Sequence, residues 1–244
     1  MEFASDRDLV KKSLYKDALK ICKKAVKENK YSSFNPFKEE YVISTNFDVD
    51  NRQISLRGKV DRIDTYDDKF RVIDYKTGKV KKNIYTDLYY GKKIQLFLYS
   101  KVLEKEIKLK PSGVYYFNAR SEYQGSEDYI LEGITACDIR EIDTRLFDKD
   151  FKKSDIISAK QTKDGISFKE VSEKELSLYH DYAESLSRSA VSHIVSGQIS
   201  PLPDENSCEY CKYRGICLYN KHRGVRKLPA RGQNDFVAEV KDEI

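Results

Sequence analysis

No stretch of the 244-residue sequence approaches the roughly 18–20 consecutive apolar residues that a bilayer-spanning helix needs, so no membrane segment is expected. The first residues, MEFASDRDLVKK, lack the apolar core of a signal peptide, which makes the cytoplasm the expected location. Tryptophan is absent, and 18 Tyr with 11 Phe supply the aromatic surface instead. The five cysteines are an odd number without a leader, which argues against a disulfide framework. There is no internal repeat and no low-complexity tract. What the chain has in quantity is charge: 35% charged residues against 39% hydrophobic ones, the mix of a heavily solvated domain. The net charge of +5 permits a polyanionic partner without demanding one. The length suffices for one sizeable core and an appended subdomain.

Val10, Leu14, Ala18, Ile21 and Ala25 recur at steps of three and four, predicting a helix from Asp6 to about Asn29 that packs on the core through this stripe. Asn35-Pro36 then breaks the chain. Glu40–Phe47 and Gln53–Thr65 read as strands joined at DVDN, and Lys69–Thr77 as a third, turning at Tyr66-Asp67-Asp68. A basic loop follows from Gly78, then one helix over Tyr85–Glu104. GVYYF at 113–117 reads as a strand inside a sheet, and residues 118–172 mix short pieces with a turn at Asp164-Gly165. Glu173–Ser196 is a long helix with Gly197 as its cap. Past Ser200 the Pro, Cys and Arg content rises, and the last dozen residues read as frayed. The order implies an α/β protein on a mixed central sheet flanked by helices, divided as 1–36 (helix on the core), 37–199 (core) and 200–244 (Cys-rich cap and tail).

Residues 58–78, GKVDRIDTYDDKFRVIDYKTG, hold the chemistry. Side chains alternate along a strand, so Asp74 and Lys76 share a face, and the short turn brings Asp61 beside them. Adjacent carboxylates repel unless a cation lies between them. Hard oxygen donors of this kind suit Mg²⁺ or Mn²⁺, with the Tyr75 backbone carbonyl as a further oxygen. Lys76 then orients or deprotonates a metal-bound water, or offsets charge on a phosphorus centre. The bland alternative is a surface Asp–Lys pair worth well under ~1 kcal/mol. Val72 and Ile73 lead straight into Asp74 and favour a buried strand end. Asp64 points away from Asp61, and Asp67 fits an ordinary turn. Gln95 and Tyr99, four apart, share one helix face.

G-x-x-D-R-I-D, a turn, V-I-D-Y-K-T-G and then a Q-x-x-x-Y helix resemble the motifs of the RecB-like branch of the PD-(D/E)xK nucleases. That resemblance implies a restriction-endonuclease-like core and a metal-dependent deoxyribonuclease, an exonuclease, cutting DNA. It assigns Asp61 and Asp74 to the metal, Lys76 to the nucleophile, and Gln95 with Tyr99 to the organisation of the site.

Cys208, Cys211 and Cys217, as C-x₂-C-x₅-C, form three soft ligands for zinc or an iron–sulfur cluster. Lys212, Arg214 and Lys221 would favour their thiolates. Cys22 and Cys137 read as core cysteines, His193 and His222 as possible ligands for zinc but poor ones for a [4Fe–4S] cluster, and His180 as an ordinary member of an amphipathic helix. The triplet resembles that of the nuclease domains of AddB-type helicase–nuclease subunits. This likeness implies a [4Fe–4S] cluster stapling the chain ends, an AddA-like partner and a role in double-strand-break processing. The likeness departs in two places: no cysteine precedes Cys22, and no histidine precedes His180. Both departures suggest a fragment of a longer subunit, with a cluster that is incomplete. Lys79, Lys81, Lys82, Lys92 and Lys93 are candidate DNA contacts, and Tyr89 and Tyr90 candidate base-stacking residues. A standalone exonuclease and a non-cutting DNA-binding scaffold are the alternatives.

Overall fold

The computed structural model describes residues 6–76, 83–119, 130–136, 154, 156–163, 165–168, 170–198, 200–204, 207–209, 211–217 and 225–241. Lys79, Lys81, Lys82, Cys137 and His222 lie outside the described residues. A six-stranded mixed sheet runs in the order β1-β2-β3-β4-β5-β8. Its strands are β1 (Asn35–Val49), β2 (Arg52–Tyr66), β3 (Lys69–Lys76), β4 (Lys110–Asn118), β5 (Leu131–Ala136) and β8 (Glu170–Val171). A small antiparallel hairpin pairs β6 (Ala159–Thr162) with β7 (Gly165–Phe168), with Gly165 of the expected turn opposite Thr162.

The two leading hairpins form because their turns are built for them. Asp50 and Asn51 both take positive φ, 50° and 61°, between the paired residues Val49 and Arg52. That is the two-residue turn whose twist matches antiparallel strands. Tyr66 pairs with Lys69 across a second tight turn, with Asp67 at φ 51°. β3 and β4 run parallel, connected by helices α2 (Ile84–Tyr89) and α3 (Gln95–Ile107). All of β4 from Ser112 to Asn118 is buried, as befits a central strand covered on both faces.

One face carries α3, the long α4 (Glu173–Val195) and, beyond the single turn α5 (Arg214–Cys217), the C-terminal α6 (Gln233–Lys241). Together they enclose Val60, Val72, Leu96, Phe97, Val114 and Phe236. Ser172 begins α4 with a reciprocal capping pair to Glu175. The other face holds a smaller cluster around Phe34, Ile73, Tyr115 and Phe117, against which α1 (Asp6–Tyr31) lies. No described helix is long and apolar enough to cross a membrane.

Three expectations need correction. The predicted helix over 85–104 is two, because Gly91 takes φ 69° and the Asp87 carbonyl accepts from the Lys92 and Lys93 amides, turning the chain before Gln95. Of the last dozen residues, expected to be frayed, Gln233–Lys241 form α6: Phe236 and Val240 are fully buried, with Phe236 packed edge-on to Tyr89, Tyr179 and Tyr182. The α1 stripe docks only through its C-terminal half. Ile21 is half-buried, whereas Val10 and Leu14 are each 57% exposed.

What holds that half down is ionic. Glu28 accepts from Arg62 (2.9 and 3.1 Å) and Arg71 (2.7 Å), and both arginines also hold Asp64. All four side chains are buried, two positive and two negative. Burial works against ionised Asp64, but Arg71 and Arg62 outweigh it and hold its carboxyl below the usual range.

Candidate active site

β3 ends in the residues that matter. Asp74 is 8% exposed, and Lys76, two residues on, reaches back so that its Nζ lies 2.6 Å from Asp74 Oδ2. The contact is ionic and short, so Oδ2 is a buried acceptor that the Lys76 ammonium balances. Asp61 falls opposite Asp74, one step beyond the Arg62–Ile73 pair. Its Oδ2 accepts from the Tyr75 amide at 2.9 Å, which fixes the carboxylate over the end of β3. The structure therefore brings Asp61, Asp74 and Lys76 together. Burial raises the Asp74 pKa; Lys76 counteracts this, and the nearby Asp61 charge adds to the rise.

Two carboxylates brought to the same end of paired strands, one of them buried, fit a divalent cation that keeps most of its water. Among the described residues no group of three or more His, Cys, Asp or Glu side chains forms a metal site. The chemistry of the pair is that of a divalent-cation site bound through one or two carboxylates.

Gln95 Nε2 donates to Tyr99 Oη at 3.0 Å, so this pair does share the α3 face. It seats against β2 at Gly58, where any Cβ would meet Tyr99 Oη at 2.5 Å and Cε1 at 2.4 Å. Among the described residues no hydrogen bond joins Gln95 or Tyr99 to the carboxylates. The pair borders the Asp61 strand without touching the metal-type oxygens.

Three groups escaped the sequence reading. Tyr116, paired with Asp74 in the parallel register, lies under two lysines, with Lys76 and Lys93 Nζ at 5.4 and 5.6 Å from its ring centre. Burial first, and then Asp74 and Asp87, push its pKa up, so the phenol stays protonated. Asp87 on α2 pairs with Lys93 at 2.7 Å. The Arg62–Arg71–Asp64–Glu28 cluster lies behind Asp61 on the opposite sheet face. A lone acid in YTDLYY carries no local signal of this placement, and the buried ion cluster needs a helix 34 residues upstream to be complete.

The expected DNA contacts at Lys92 and Lys93 are both engaged: Lys92 Nζ lies 2.5 Å from Asp204 and Lys93 pairs with Asp87. Tyr89 packs on Tyr182 and Arg231 rather than standing ready to stack. His180 is buried with Nε2 unpaired. Cys22 is exposed on α1, not in the core, and Cys211 and Cys217 are exposed, with Cys208 half-exposed. The three thiols do not form a closed metal site, so their fit to a metal rests on ligand chemistry and spacing alone.

Asp-x-Lys at the end of a central strand, an opposing Asp and a covering helix with Gln and Tyr define a nuclease-type centre. The profile of the PD-(D/E)XK nuclease superfamily matches residues 2–218. The chain belongs to this superfamily and is a nuclease domain, of a kind generally dependent on a divalent metal. Its relatives include an ATP-dependent helicase/deoxyribonuclease subunit from Clostridioides difficile, 24% identical over 229 residues, covering 79% of this chain and 20% of the relative. A protein of the same name from Clostridium kluyveri is 29% identical over 203 residues, covering 69% and 17%. The chain thus spans about a fifth of the length of these relatives. A solved structure, "Crystal structure of SSO0001", aligns with 82% of this chain and 67% of that chain at 15% identity and a TM-score of 0.36, a distant likeness.

Proposed function

We propose that this domain hydrolyses DNA phosphodiesters with Mg²⁺ or Mn²⁺, as the nuclease part of an AddB-like helicase–nuclease subunit. The observation that carries the reading is the Asp61–Asp74–Lys76 cluster, with the Asp74 carboxylate buried at a strand end and paired to an ammonium group. A divalent ion held there by Asp61, Asp74 and the Tyr75 carbonyl would supply Lewis acidity toward a phosphate oxygen. Lys76 holds the attacking water by donating to it and balances charge developing on the phosphorus oxygens. As the water oxygen bonds to phosphorus, its proton leaves to solvent, and the sugar oxygen takes a proton from solvent as its bond to phosphorus breaks. Tyr116 keeps Lys76 and Lys93 near this edge. The names of the relatives, which join a helicase and a deoxyribonuclease and denote a subunit, support DNA as substrate and a partner subunit; an AddA-type partner and a role in double-strand-break repair are part of the proposal. Cys208, Cys211 and Cys217 are proposed to ligate a structural [4Fe–4S] cluster or zinc, on the strength of their spacing and exposure.

The test is cleavage of end-labelled DNA with Mg²⁺ by the wild type, Asp74→Ala and Lys76→Ala. Loss of at least about 100-fold in both variants is expected, the scale on which a misplaced or missing catalytic group acts. Equal rates in all three proteins would overturn the assignment, and DNA binding without cleavage in the wild type would leave a scaffold role.

A further inference from the structure

Helix α1 holds nine basic residues and four acidic ones, a net +5. That equals the formal net charge of the whole sequence, so the remaining residues balance to zero. The charge is also organised. At about 100° per residue, Lys12, Lys16, Lys20, Lys23, Lys27 and Lys30 fall within roughly 80° of arc. Their stripe runs about 27 Å along the helix at 1.5 Å per residue. Asp17 and Glu28 are turned away from it, and Glu28 is buried against Arg62 and Arg71; Asp8 flanks its N-terminal end. Lys12, Lys16, Lys20, Lys23 and Lys30 are exposed, and Lys27 is half-buried.

The direction of α1 gives the stripe its meaning. Phe34, after the helix, lies under Arg71 near the start of β3 and beside Tyr66 at the end of β2. Glu28 meets Arg62 and Arg71 further along, and Lys24 donates to the Asn118 carbonyl, in register with Lys76 at the end of β4. Going backward along α1 therefore approaches the edge that carries Asp74 and Lys76, and the first fifteen residues of the helix continue past it. Their exposure agrees, with Val10, Leu14 and Tyr15 between 57% and 71% accessible.

We propose that α1 is a DNA-guiding arm, whose lysine stripe binds the phosphate backbone of duplex DNA next to the catalytic edge. The inference rests on DNA being the substrate of that edge. Successive lysines are about 4.5–6 Å apart along the axis, so a stripe of this length faces several phosphates of a strand that carries one per about 3.4 Å of duplex axis. No base contact is involved, so binding is independent of sequence and steeply salt-dependent.

The test compares the wild type with the quadruple variant Lys12→Gln, Lys16→Gln, Lys20→Gln, Lys23→Gln. A second variant, Lys105→Gln with Lys108→Gln and Lys174→Gln, removes exposed charge elsewhere. Binding of a fluorescent duplex is followed by anisotropy across a KCl series in EDTA, so failure of the hydrolysis assignment leaves this readout intact. Removing the stripe should shallow the log K against log salt slope by about 0.9 per lysine that meets a phosphate, near 3.6 for all four, and weaken low-salt binding at least about tenfold. The control should keep the wild-type slope, and matched melting temperatures establish that the arm still folds. A quadruple variant with the wild-type slope overturns the proposal and leaves the helix face to a protein partner. An equal fall in the control overturns it too, since net charge anywhere would then suffice.

Discussion

Replacing Gly58 with alanine tests how the Gln95–Tyr99 pair is held. The added Cβ would stand 2.4–2.6 Å from Tyr99 Cε1, Oη and Cζ. Ordinary carbon contacts lie near 3.5–4.0 Å, so the ring must retreat by about 1 Å. Overpacking of this kind costs about 1–3 kcal/mol, and losing the Gln95–Tyr99 hydrogen bond about 1 more. The opposing gain, a stiffer unfolded chain without glycine, is only about 0.4–1 kcal/mol. The clash wins, leaving a net loss near 2 kcal/mol and a melting temperature lower by about 4–8 °C for a chain of this size. Activity should fall further than stability, because a 1 Å misplacement near reacting groups costs about 100-fold in rate. Thermal denaturation and DNA cleavage are to be measured for Gly58→Ala, Tyr99→Ala and the double variant. In the Tyr99→Ala background the ring is gone, so Gly58→Ala should cost under ~0.5 kcal/mol. Full cleavage and an unchanged melting point in Gly58→Ala would refute the reasoning, as would an undiminished cost in the double variant.

Two further outcomes follow from the buried charges. Glu28→Gln strips the buried Arg62 and Arg71 of one of their two carboxylates and should cost about 3–5 kcal/mol in urea denaturation; under 1 kcal/mol would show that α1 is not docked through this cluster. His180 is held neutral, first by burial and then by the Lys101 charge, with Asp181 opposing, so its pKa falls to about 3. The unfolded chain takes up this proton near pH 6.5 and the folded one does not, so stability drops as the pH falls through that window. By pH 5 the loss is about 2 kcal/mol, and His180→Leu should flatten this part of the profile; the same pH slope in both proteins would contradict the assignment.

The hairpin and its acids could be read from the sequence because their information is local. Strand alternation and a two-residue turn suffice to place Asp61 beside Asp74 and Lys76 on the face of Asp74. The core strand GVYYF announced itself by composition, and α4 by its period. The kink at Gly91 was hidden because IYTDLYYGKKIQLFLY keeps helical spacing on both sides of it. α6 looked too polar to hold, since only Phe236 and Val240 are fully buried and the seat of Phe236 depends on tyrosines from α2 and α4. Asp87 and the Glu28 cluster are long-range in sequence, and no local pattern encodes such contacts. The placement of Gln95 and Tyr99 was half legible: their shared face follows from spacing, their seat on Gly58 only from the crossing of α3 over β2.

The superfamily match stops at residue 218, yet the protein's folding does not. The Arg231 amide donates to Thr86 at 2.8 Å, its guanidinium lies over Tyr89 and Tyr90, and Phe236 fills the space among four aromatic rings. Anyone trimming this nuclease after its last cysteine would remove one wall of the chamber in which α2 and α4 meet. Solvent would then reach the tyrosines two turns ahead of Gln95. The smallest autonomous version of this enzyme is therefore larger than its recognisable motifs.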